Sequence, residues 1–171
     1  MKHKNWDIVA DDDLSKAYQV SNFLQNFVEI NSDIIWSKEY FQWKLGGNNP
    51  AGPGFLTVAL NEGEIIGVTT ITKKRLWING KEEIGGEIGD TYTHPSFRRE
   101  GSPIKLHHST SDKDTYVNKS IFGRLVTETI ERATKSGISI IYGTPNMNSM
   151  PGYLKHLNFV EHSDYKNVNF V

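Results

Sequence analysis

The stretch of this chain with the clearest chemical potential spans residues 89–101, Gly-Asp-Thr-Tyr-Thr-His-Pro-Ser-Phe-Arg-Arg-Glu-Gly. It joins the end of a predicted strand to a loop with two adjacent arginines, and a helix is predicted to begin further on, at Ser120. A helix N-terminus presents free amides and the positive end of the helix dipole, so this combination predicts an anion site. The phosphate loop Gly-x-x-x-x-Gly-Lys-Ser/Thr is absent, and the glycines of residues 85–89 have the wrong spacing for a dinucleotide-binding loop.

Two carboxylates, Glu87 and Asp90, stand at the start of this stretch, and each is a candidate general base. A general base must lie within hydrogen-bond reach of the proton that it removes, or one water away. Strand alternation puts the two side chains on opposite faces of a sheet unless a β-bulge intervenes. The alternative interpretation is that both are strand-face carboxylates engaged in ion pairs, and the residues alone leave both interpretations open.

Histidine and cysteine usage argues against a metal centre and against thiol chemistry. The chain has no cysteine, so it has no disulfide, no thiolate nucleophile and no cysteine-built zinc site. The adjacent pair His107 and His108 diverges in an extended chain, and no third ligand stands at metal-ligand spacing. His94 is interpreted as a loop residue, with a role in proton transfer as the alternative. The sequence therefore predicts no bound metal.

The composition favours a globular protein and excludes several classes of partner. Hydrophobic residues make up 37% of the 171 positions, and 19 basic residues nearly balance 20 acidic ones. A formal net charge of −1 argues against disorder and against nucleic acid as the main partner. The first residues lack the apolar core of a signal peptide, and no run approaches the roughly 20 apolar residues of a membrane span. We therefore expect a cytoplasmic protein with neither a membrane nor a nucleic-acid partner.

Two helices are predicted near the start of the chain. A short strand at residues 6–9 precedes three aspartates at 11–13, which we interpret as a helix start rather than a cation site because they can accept orphan backbone amides. A second helix is predicted from the N-cap Ser37 to Gly46. Its aromatic residues are predicted to pack in the core, with a pocket wall as the alternative for some of them. They are Trp36, Tyr40, Phe41 and Trp43.

The remaining elements begin with three antiparallel strands. Strands at 55–60, 65–78 and 82–93 form a predicted meander, and Asn79-Gly80 between the last two is the preferred dipeptide of a type I′ turn. An irregular stretch leads to a predicted helix at 120–136. The other predicted elements are a buried strand at 138–142, a short helix at 148–156, and weak strands at 159–160 and 166–171.

The order of these elements and motifs resembles the GCN5-related N-acetyltransferase (GNAT) superfamily. Residues 93–98, Thr-His-Pro-Ser-Phe-Arg, resemble the family's Val-x-Pro-x-Tyr/Phe-Arg strand end, and residues 98–101 match the Arg-x-x-Gly of its acetyl-CoA loop. Residues 142–149 resemble its asparagine-containing strand-to-helix segment, and residues 154–159 resemble its Tyr-x-Lys-Leu-Gly-Phe ending. The resemblance covers roughly residues 5–165.

The resemblance implies one domain over residues 1–171, with a loop insertion at 102–119. The implied fold class is α/β (α+β), with a mixed, mostly antiparallel central sheet flanked by helices. The implied reaction moves an acetyl or acyl group from acetyl-CoA, or another acyl-CoA, to a primary amine of a small molecule. Transfer is expected to be direct, because no cysteine can carry the acyl group.

Within that reaction an amino sugar or sugar nucleotide is the expected acceptor, because the Tyr-Gly-x-Pro-Asn segment at 142–146 resembles enzymes of surface-polysaccharide pathways. A homodimer is left open. The alternatives are a non-catalytic module that binds CoA or a partner protein, and one half of a longer two-domain acyltransferase.

The resemblance also assigns candidate roles to residues. Glu87 is the leading base and Asp90 the second candidate. Tyr153 is the candidate acid, although Leu154 occupies the family's tyrosine position and one helical step is about 100°. The implied cofactor-binding residues come from the strand end, the arginine loop, the start of the next helix and the asparagine segment. They are Thr91, Tyr92, Thr93, Arg98, Arg99, Gly101, Lys119, Ser120, Ile121, Phe122, Gly123, Asn146 and Asn148.

Overall fold

The computed structural model describes residues 6–27, 36–98 and 120–162. Its elements, in chain order, are β1 (Asp7–Ala10), α1 (Ala17–Phe27), α2 (Lys38–Leu45), β2 (Phe55–Asn61), β3 (Glu64–Ile78), β4 (Lys81–Thr93), a 3₁₀ turn (Pro95–Phe97), α3 (Ile121–Lys135), β5 (Ile141–Gly143) and α4 (Met150–His156). The five strands form one sheet in the order β1-β2-β3-β4-β5, and β4 and β5 are its parallel pair. This confirms the mixed, mostly antiparallel sheet flanked by helices. No helix in the described ranges is long and apolar enough to cross a bilayer.

Polar side chains accept backbone amides near the starts of the first two helices. The Ser37 hydroxyl accepts the amide of Tyr40 at 3.0 Å, as predicted for the start of α2. This bond supplies an acceptor that a helix cannot provide for its own first turn. The Asp11 carboxylate accepts the amide of Lys16 at 2.8 Å, but α1 begins only at Ala17 and has no acidic residue in its first turn, so the acidic cluster precedes the helix instead of forming its first turn.

The meander is set by two tight turns and by the unequal lengths of its strands. Asn79 and Gly80 have φ values of 51° and 78°, as a type I′ turn requires, so β3 and β4 pair as predicted. The β2–β3 ladder ends at the pair of Phe55 with Ile71, whereas β3 continues beside β4 as far as Ile78. Among the described strands none pairs with the last seven residues of β3 on the β2 side, and we call this stretch the free edge of β3.

The core lies on both faces of the sheet. One cluster packs α1 and α2 against β2 and β3, and its largest buried side chains include Phe41 and Leu24. A second cluster packs α3 against Ile71 and Ile88 on the other face. Gly67 lets α3 approach closely, because a Cβ there would lie 2.9 Å from a Leu125 methyl carbon. The close approach fixes the start of α3 over the middle of the sheet.

The C-terminal elements are shorter than predicted. The strand predicted as buried at 138–142 covers Ile141–Gly143 and is only partly buried, because the amide of Ile138 closes the end of α3 on the carbonyl of Ala133. Residues 159–160 form no strand: the Phe159 amide bonds to the Tyr153 carbonyl and caps α4 instead. Asn158 has a φ of 58°, the left-handed conformation that asparagine tolerates. The predicted strand at 166–171 and the insertion at 102–119 lie outside the described residues.

Candidate active site

A β-bulge in β4 decides how the two candidate bases are arranged. Val68 pairs with Tyr92 and Thr70 pairs with Gly89, so β4 has one residue more than β3 between these pairs. The extra residue is accommodated at Asp90, whose φ is 47°. The bulge turns the Asp90 carboxylate toward α2, the side on which Glu87 also lies.

Asp90 is held by two donors. Its Oδ2 atom lies 2.7 Å from Lys44 Nζ, on α2, and accepts the Thr70 hydroxyl at 2.9 Å. Burial opposes the charge on Lys44, but the Asp90 carboxylate outweighs burial, so the pKa of Lys44 is raised above its usual value. These contacts tie the bulge of β4 to α2 and to the neighbouring strand β3.

Glu87 is more accessible than Asp90. Its side chain is 33% exposed, against 11% for Asp90, and its carboxylate lies 3.1 Å from Lys74 Nζ in a partly exposed pair. Screening by solvent keeps such a pair weak, so the Glu87 carboxylate can exchange its partner for a substrate ammonium.

Beyond the bulge, β4 and β5 separate. Their ladder covers three pairs and ends where Ile88 meets Gly143. A pocket of about 410 Å³ lies between the end of β4, the start of α3 and the start of α4, and we call it the β4–α3 pocket. Nine of the predicted cofactor-binding residues line it: Thr91, Tyr92, Thr93, Arg98, Ser120, Ile121, Phe122, Asn146 and Asn148. Its other lining residues are Phe97, Ser149, Pro151, Gly152 and His156.

The chemistry of the β4–α3 pocket favours an anion. Arg98 lines it, with Nε bonded to the Thr93 carbonyl at 3.0 Å and the guanidinium 4.8 Å from the Tyr92 ring centroid. Carboxylates do not occur among its described lining residues. The Thr93 hydroxyl is buried and has no hydrogen-bond partner in the described ranges, a cost that a ligand would remove.

The start of α3 contributes backbone donors to this pocket. Ile121 and Phe122, the first two residues of α3, line the pocket, and the first amides of a helix have no intrahelical acceptor. The Gly123 amide instead bonds to the Ser120 hydroxyl at 2.9 Å, and Gly123 is not among the lining residues. The other three predicted cofactor-binding residues, Arg99, Gly101 and Lys119, lie outside the described residues.

The asparagine segment forms a turn that leads into α4. The Asn146 side-chain oxygen accepts the amides of Asn148 and Ser149 at 3.1 and 3.0 Å, an arrangement that orders the turn without help from a helix. Gly152 packs directly against the ring of Phe122, where a Cβ would lie 2.8 Å from a ring carbon. The two helices that flank the pocket are therefore in close contact.

Tyr153 lies beneath the pocket rather than in its lining. Its hydroxyl is 3.0 Å from the Thr91 hydroxyl, which is 2.7 Å from the hydroxyl of Thr69. Burial raises the pKa of Tyr153, and the bond to Thr91 only partly offsets that effect. The result is a chain of three hydroxyl groups with the pocket-lining Thr91 in its middle, and sequence reasoning missed Thr69 because no motif contains it.

A second pocket, of about 460 Å³, lies on the α2 side at the free edge of β3. We call it the α2–β3 pocket. Its lining residues are Tyr40, Trp43, Lys44, Asn49, Pro50, Ala51, Thr72, Lys73, Lys74, Arg75 and Glu87. Glu87 is the one candidate catalytic residue in this lining, while Trp36 and Phe41 are buried in the core. Trp36 and Phe41 therefore pack in the core, as predicted. Tyr40 and Trp43 line a pocket, which was the alternative prediction.

The residues that line the two pockets do not form a cluster of metal ligands. In the described ranges, no group of three or more His, Asp or Glu side chains is placed to hold an ion. His94 caps the 3₁₀ turn with Nδ1, which accepts the Ser96 amide at 3.1 Å. His107 and His108 lie outside the described residues.

Comparison with known proteins gives matches among solved structures. No family model matches the chain, and no curated protein matches it. A predicted acetyltransferase from Clostridium acetobutylicum, crystallised with acetyl-CoA, is 19% identical, with 96% of each chain covered and a TM-score of 0.66. Glucosamine-6-phosphate N-acetyltransferase from Arabidopsis thaliana is 10% identical, covers 98% of this chain and 99% of its own, and has a TM-score of 0.61.

An aminoglycoside acetyltransferase from an uncultured soil metagenomic sample is also similar. It is 21% identical, covers 97% of this chain and 94% of its own, and has a TM-score of 0.59. At such identities the likeness shows the fold. The chain therefore has the GNAT acyl-CoA N-acyltransferase fold that its motifs resemble.

Proposed function

We propose that this protein is an N-acyltransferase that moves an acetyl or acyl group from acyl-CoA directly to a primary amine of a small molecule. The observation that carries the proposal is the arrangement along β4. The bulge at Asp90 separates an anion-suited pocket at 91–93, whose described lining residues include no carboxylate, from an open pocket that contains Glu87. One strand thus supports both a site for the acyl donor and a site for the acceptor.

The β4–α3 pocket fits acyl-CoA by its donor set. Arg98 and the N-terminal end of α3, at Ile121 and Phe122, suit phosphate oxygens, and the Thr93 hydroxyl, which has no partner in the described ranges, suits a polar group of the ligand. When bound, acyl-CoA supplies an activated thioester carbonyl. The remaining task of the chain is to hold that group and to manage protons around it.

Glu87 is the proposed general base. An ammonium must lose a proton before its nitrogen can attack a carbonyl, and Glu87 is the pocket-lining carboxylate that can take it, directly or through one water. The proposal gives Asp90 a positioning role, because its ion pair with Lys44 holds the bulge.

Tyr153 is proposed as a hydrogen-bond donor beneath the donor site. Its raised pKa keeps the hydroxyl protonated at neutral pH, and Thr91 connects it to the pocket. A thiol has an ordinary pKa of about 8.5, so a departing thiolate needs only weak assistance. A buried phenol is adequate for that purpose.

The acceptor is proposed to be a small amine such as an amino sugar. The structural neighbours named as glucosamine-6-phosphate and aminoglycoside acetyltransferases support this class, as does the volume of the α2–β3 pocket, about 460 Å³.

The proposal is tested by binding and turnover measured separately. We expect acetyl-CoA to raise the melting temperature, and a panel of amines and amino sugars to release free thiol from it. Dephospho-CoA serves as the matched ligand with fewer charges. Binding without thiol release from any amine would instead indicate a non-catalytic CoA-binding module, and absence of stabilisation by any CoA species would contradict both functions.

A further inference from the structure

We propose that Trp43 determines which acceptors bind in the α2–β3 pocket, by packing against the apolar face of a pyranose ring whose amine lies at Glu87. This inference rests on the proposed function, because it names how the same site recognises its acceptor. It narrows the acceptor to amino sugars in their ring form and separates them from open-chain amines.

The two aromatic residues of α2 that lie outside the core line this pocket. Phe41 and Leu45 are buried, whereas Tyr40 and Trp43 share the lining with Glu87. The two lining rings are neighbours at positions i and i+3 of the helix, and their centroids are 6.4 Å apart. Trp43 is 65% exposed, so its indole offers apolar surface to a ligand at the rim of the pocket.

The contacts of α2 hold these rings in place. Lys44 Nζ lies 2.7 Å from the Asp90 carboxylate and 5.4 Å from the Tyr40 ring centroid. The ion pair ties the helix to the bulge of β4, a few residues after Glu87. An indole has only two rotatable side-chain bonds, so a ligand that packs on Trp43 immobilises little. The helix therefore presents a preorganised apolar wall.

The wall opposite these rings is polar and lies on the sheet face that α2 covers. Val68 packs against α1 and α2, and every second residue of β3 after it faces the same way, including Thr72 and Lys74. Glu87 pairs with Thr72 in the ladder and shares that face. Its carboxylate lies 3.1 Å from Lys74 Nζ, and both side chains are partly exposed. The pair offers an acceptor and a donor to polar groups of one ligand.

One apolar wall and one polar wall suit a pyranose that carries an amine. Such a ring has an apolar C–H face and hydroxyl groups around its edge. The C–H face leaves water when it packs on the Trp43 indole, which is favourable, while edge groups can bond to Glu87 and Lys74. An open-chain amine has no such face, and a simple aromatic amine has no hydroxyl edge.

The first test measures acceptor binding without turnover. With the β4–α3 pocket saturated with CoA, which has no acyl group to transfer, glucosamine is titrated calorimetrically into the wild type and three variants. These are Trp43→Ala, Trp43→Phe and the matched control Trp77→Ala, which alters a tryptophan that is 74% exposed and is not among the described lining residues of either pocket.

We expect the dissociation constant for glucosamine to rise about tenfold in Trp43→Ala, because the apolar wall is lost. It should rise less than about threefold in Trp43→Phe, which keeps a ring, and less than about twofold in Trp77→Ala. Absence of binding to the wild type, or equal binding to Trp43→Ala, would overturn the inference.

The second test compares glucosamine with its reduced form glucosaminitol, which keeps an amine and hydroxyl groups but has no ring. We expect kcat/KM to favour glucosamine about tenfold in the wild type, and this preference to disappear in Trp43→Ala through KM rather than kcat, because Trp43 does not touch the reacting atoms. Trp43→Phe should restore most of it. A purely structural role of Trp43 would instead weaken both acceptors equally, and a preference for phenethylamine over glucosamine would contradict a sugar acceptor.

Failure of the inference and failure of the proposed function give different results. If CoA binds and amines are acetylated, but the ring and open-chain sugars are used equally well, the inference alone is wrong. If CoA does not bind, the proposed function is wrong and the inference falls with it. If CoA binds and no amine is acetylated, acyl transfer is wrong, and the calorimetric comparison of the wild type with Trp43→Ala still decides whether Trp43 binds the sugar ring.

Discussion

The two pockets that border β4 differ in how they are built. The β4–α3 pocket is lined by three short segments, at 91–98, 120–122 and 146–152, together with His156, and each segment contains residues that a sequence motif singled out. The α2–β3 pocket draws on a helix, a loop at 49–51 and two strands. Glu87 is the candidate catalytic residue among its eleven lining residues.

The difference teaches which kind of site can be recognised from local sequence. An anion site at a strand end and a helix start needs glycine, arginine and capping residues close together in the chain, so it leaves a pattern. The second pocket depends on β3 extending past β2, and on Asn49, whose amide donates to the carbonyls of Lys44 and Lys73 at 2.9 and 3.3 Å. Such a pocket has no linear signature.

The substitution with the largest expected effect tests whether the general base lies in the α2–β3 pocket. Glu87→Gln should lower kcat about 100-fold or more, because it removes the proposed proton acceptor, while leaving the affinity for acetyl-CoA unchanged. Stopped-flow thiol release and calorimetry separate the two quantities. Glu82→Gln is the control, since Glu82 is an exposed carboxylate on the same strand and outside both linings. Unchanged turnover in Glu87→Gln would remove Glu87 as the base.

A steric change should act on the β4–α3 pocket instead. Gly67→Ala places a methyl group 2.9 Å from Leu125 Cδ1 and 3.0 Å from Ile121 Cγ2, so α3 must shift. We expect the free energy of unfolding to fall by about 1–3 kcal/mol in urea titrations, with weaker binding of acetyl-CoA. Gly47→Ala is the control, because a Cβ there meets nothing within 4 Å. Equal stability of the two variants would contradict the close packing of α3.

A charge change should affect the donor site alone. Arg98→Ala should raise the dissociation constant of acetyl-CoA about tenfold, because it removes a cation suited to phosphate. Arg124→Ala removes an exposed arginine of α3 that stacks 5.1 Å from Trp6, and it should have little effect on binding. If the two variants bind acetyl-CoA equally well, the phosphates must bind elsewhere.

The smallest expected effect is a dependence of stability on alkaline pH. Tyr153 and Lys44 both have pKa values raised above the ordinary 10.0 and 10.5, so the fold favours their protonated forms. The stability that they contribute is complete below those ordinary values and is lost as pH rises through the folded-state pKa. Urea unfolding between about pH 9 and 11 should show this decline.

Two variants divide that decline between the pockets. Tyr153→Phe should remove the contribution of Tyr153, beneath the β4–α3 pocket, to the loss of unfolding free energy with rising pH. Lys44→Met should remove the contribution of Lys44, in the α2–β3 pocket. A slope that neither variant changes would show that other groups control the alkaline loss of stability.

Much of the fold could be predicted because its signals are local. Ser37, Asn79-Gly80 and Ser120 mark a helix start, a type I′ turn and a second helix start, and each depends on bonds or φ values within a few residues. Where prediction was wrong, a competing local bond prevailed. Ile138 and Phe159 give their amides to the ends of α3 and α4 rather than to a strand.

By itself the sequence determined most of the elements, their order and nine residues of the β4–α3 pocket, since caps, turns and strand alternation act over a few positions. It left open whether Glu87 and Asp90 share a face of the sheet, because a β-bulge cannot be recognised from the residue types alone. The tertiary structure decided that point through the ion pair of Asp90 with Lys44, from a helix 46 positions earlier in the chain. It also brought Trp43 of α2, Lys74 of β3 and Glu87 of β4 into one pocket, because contacts between distant segments depend on where strands end.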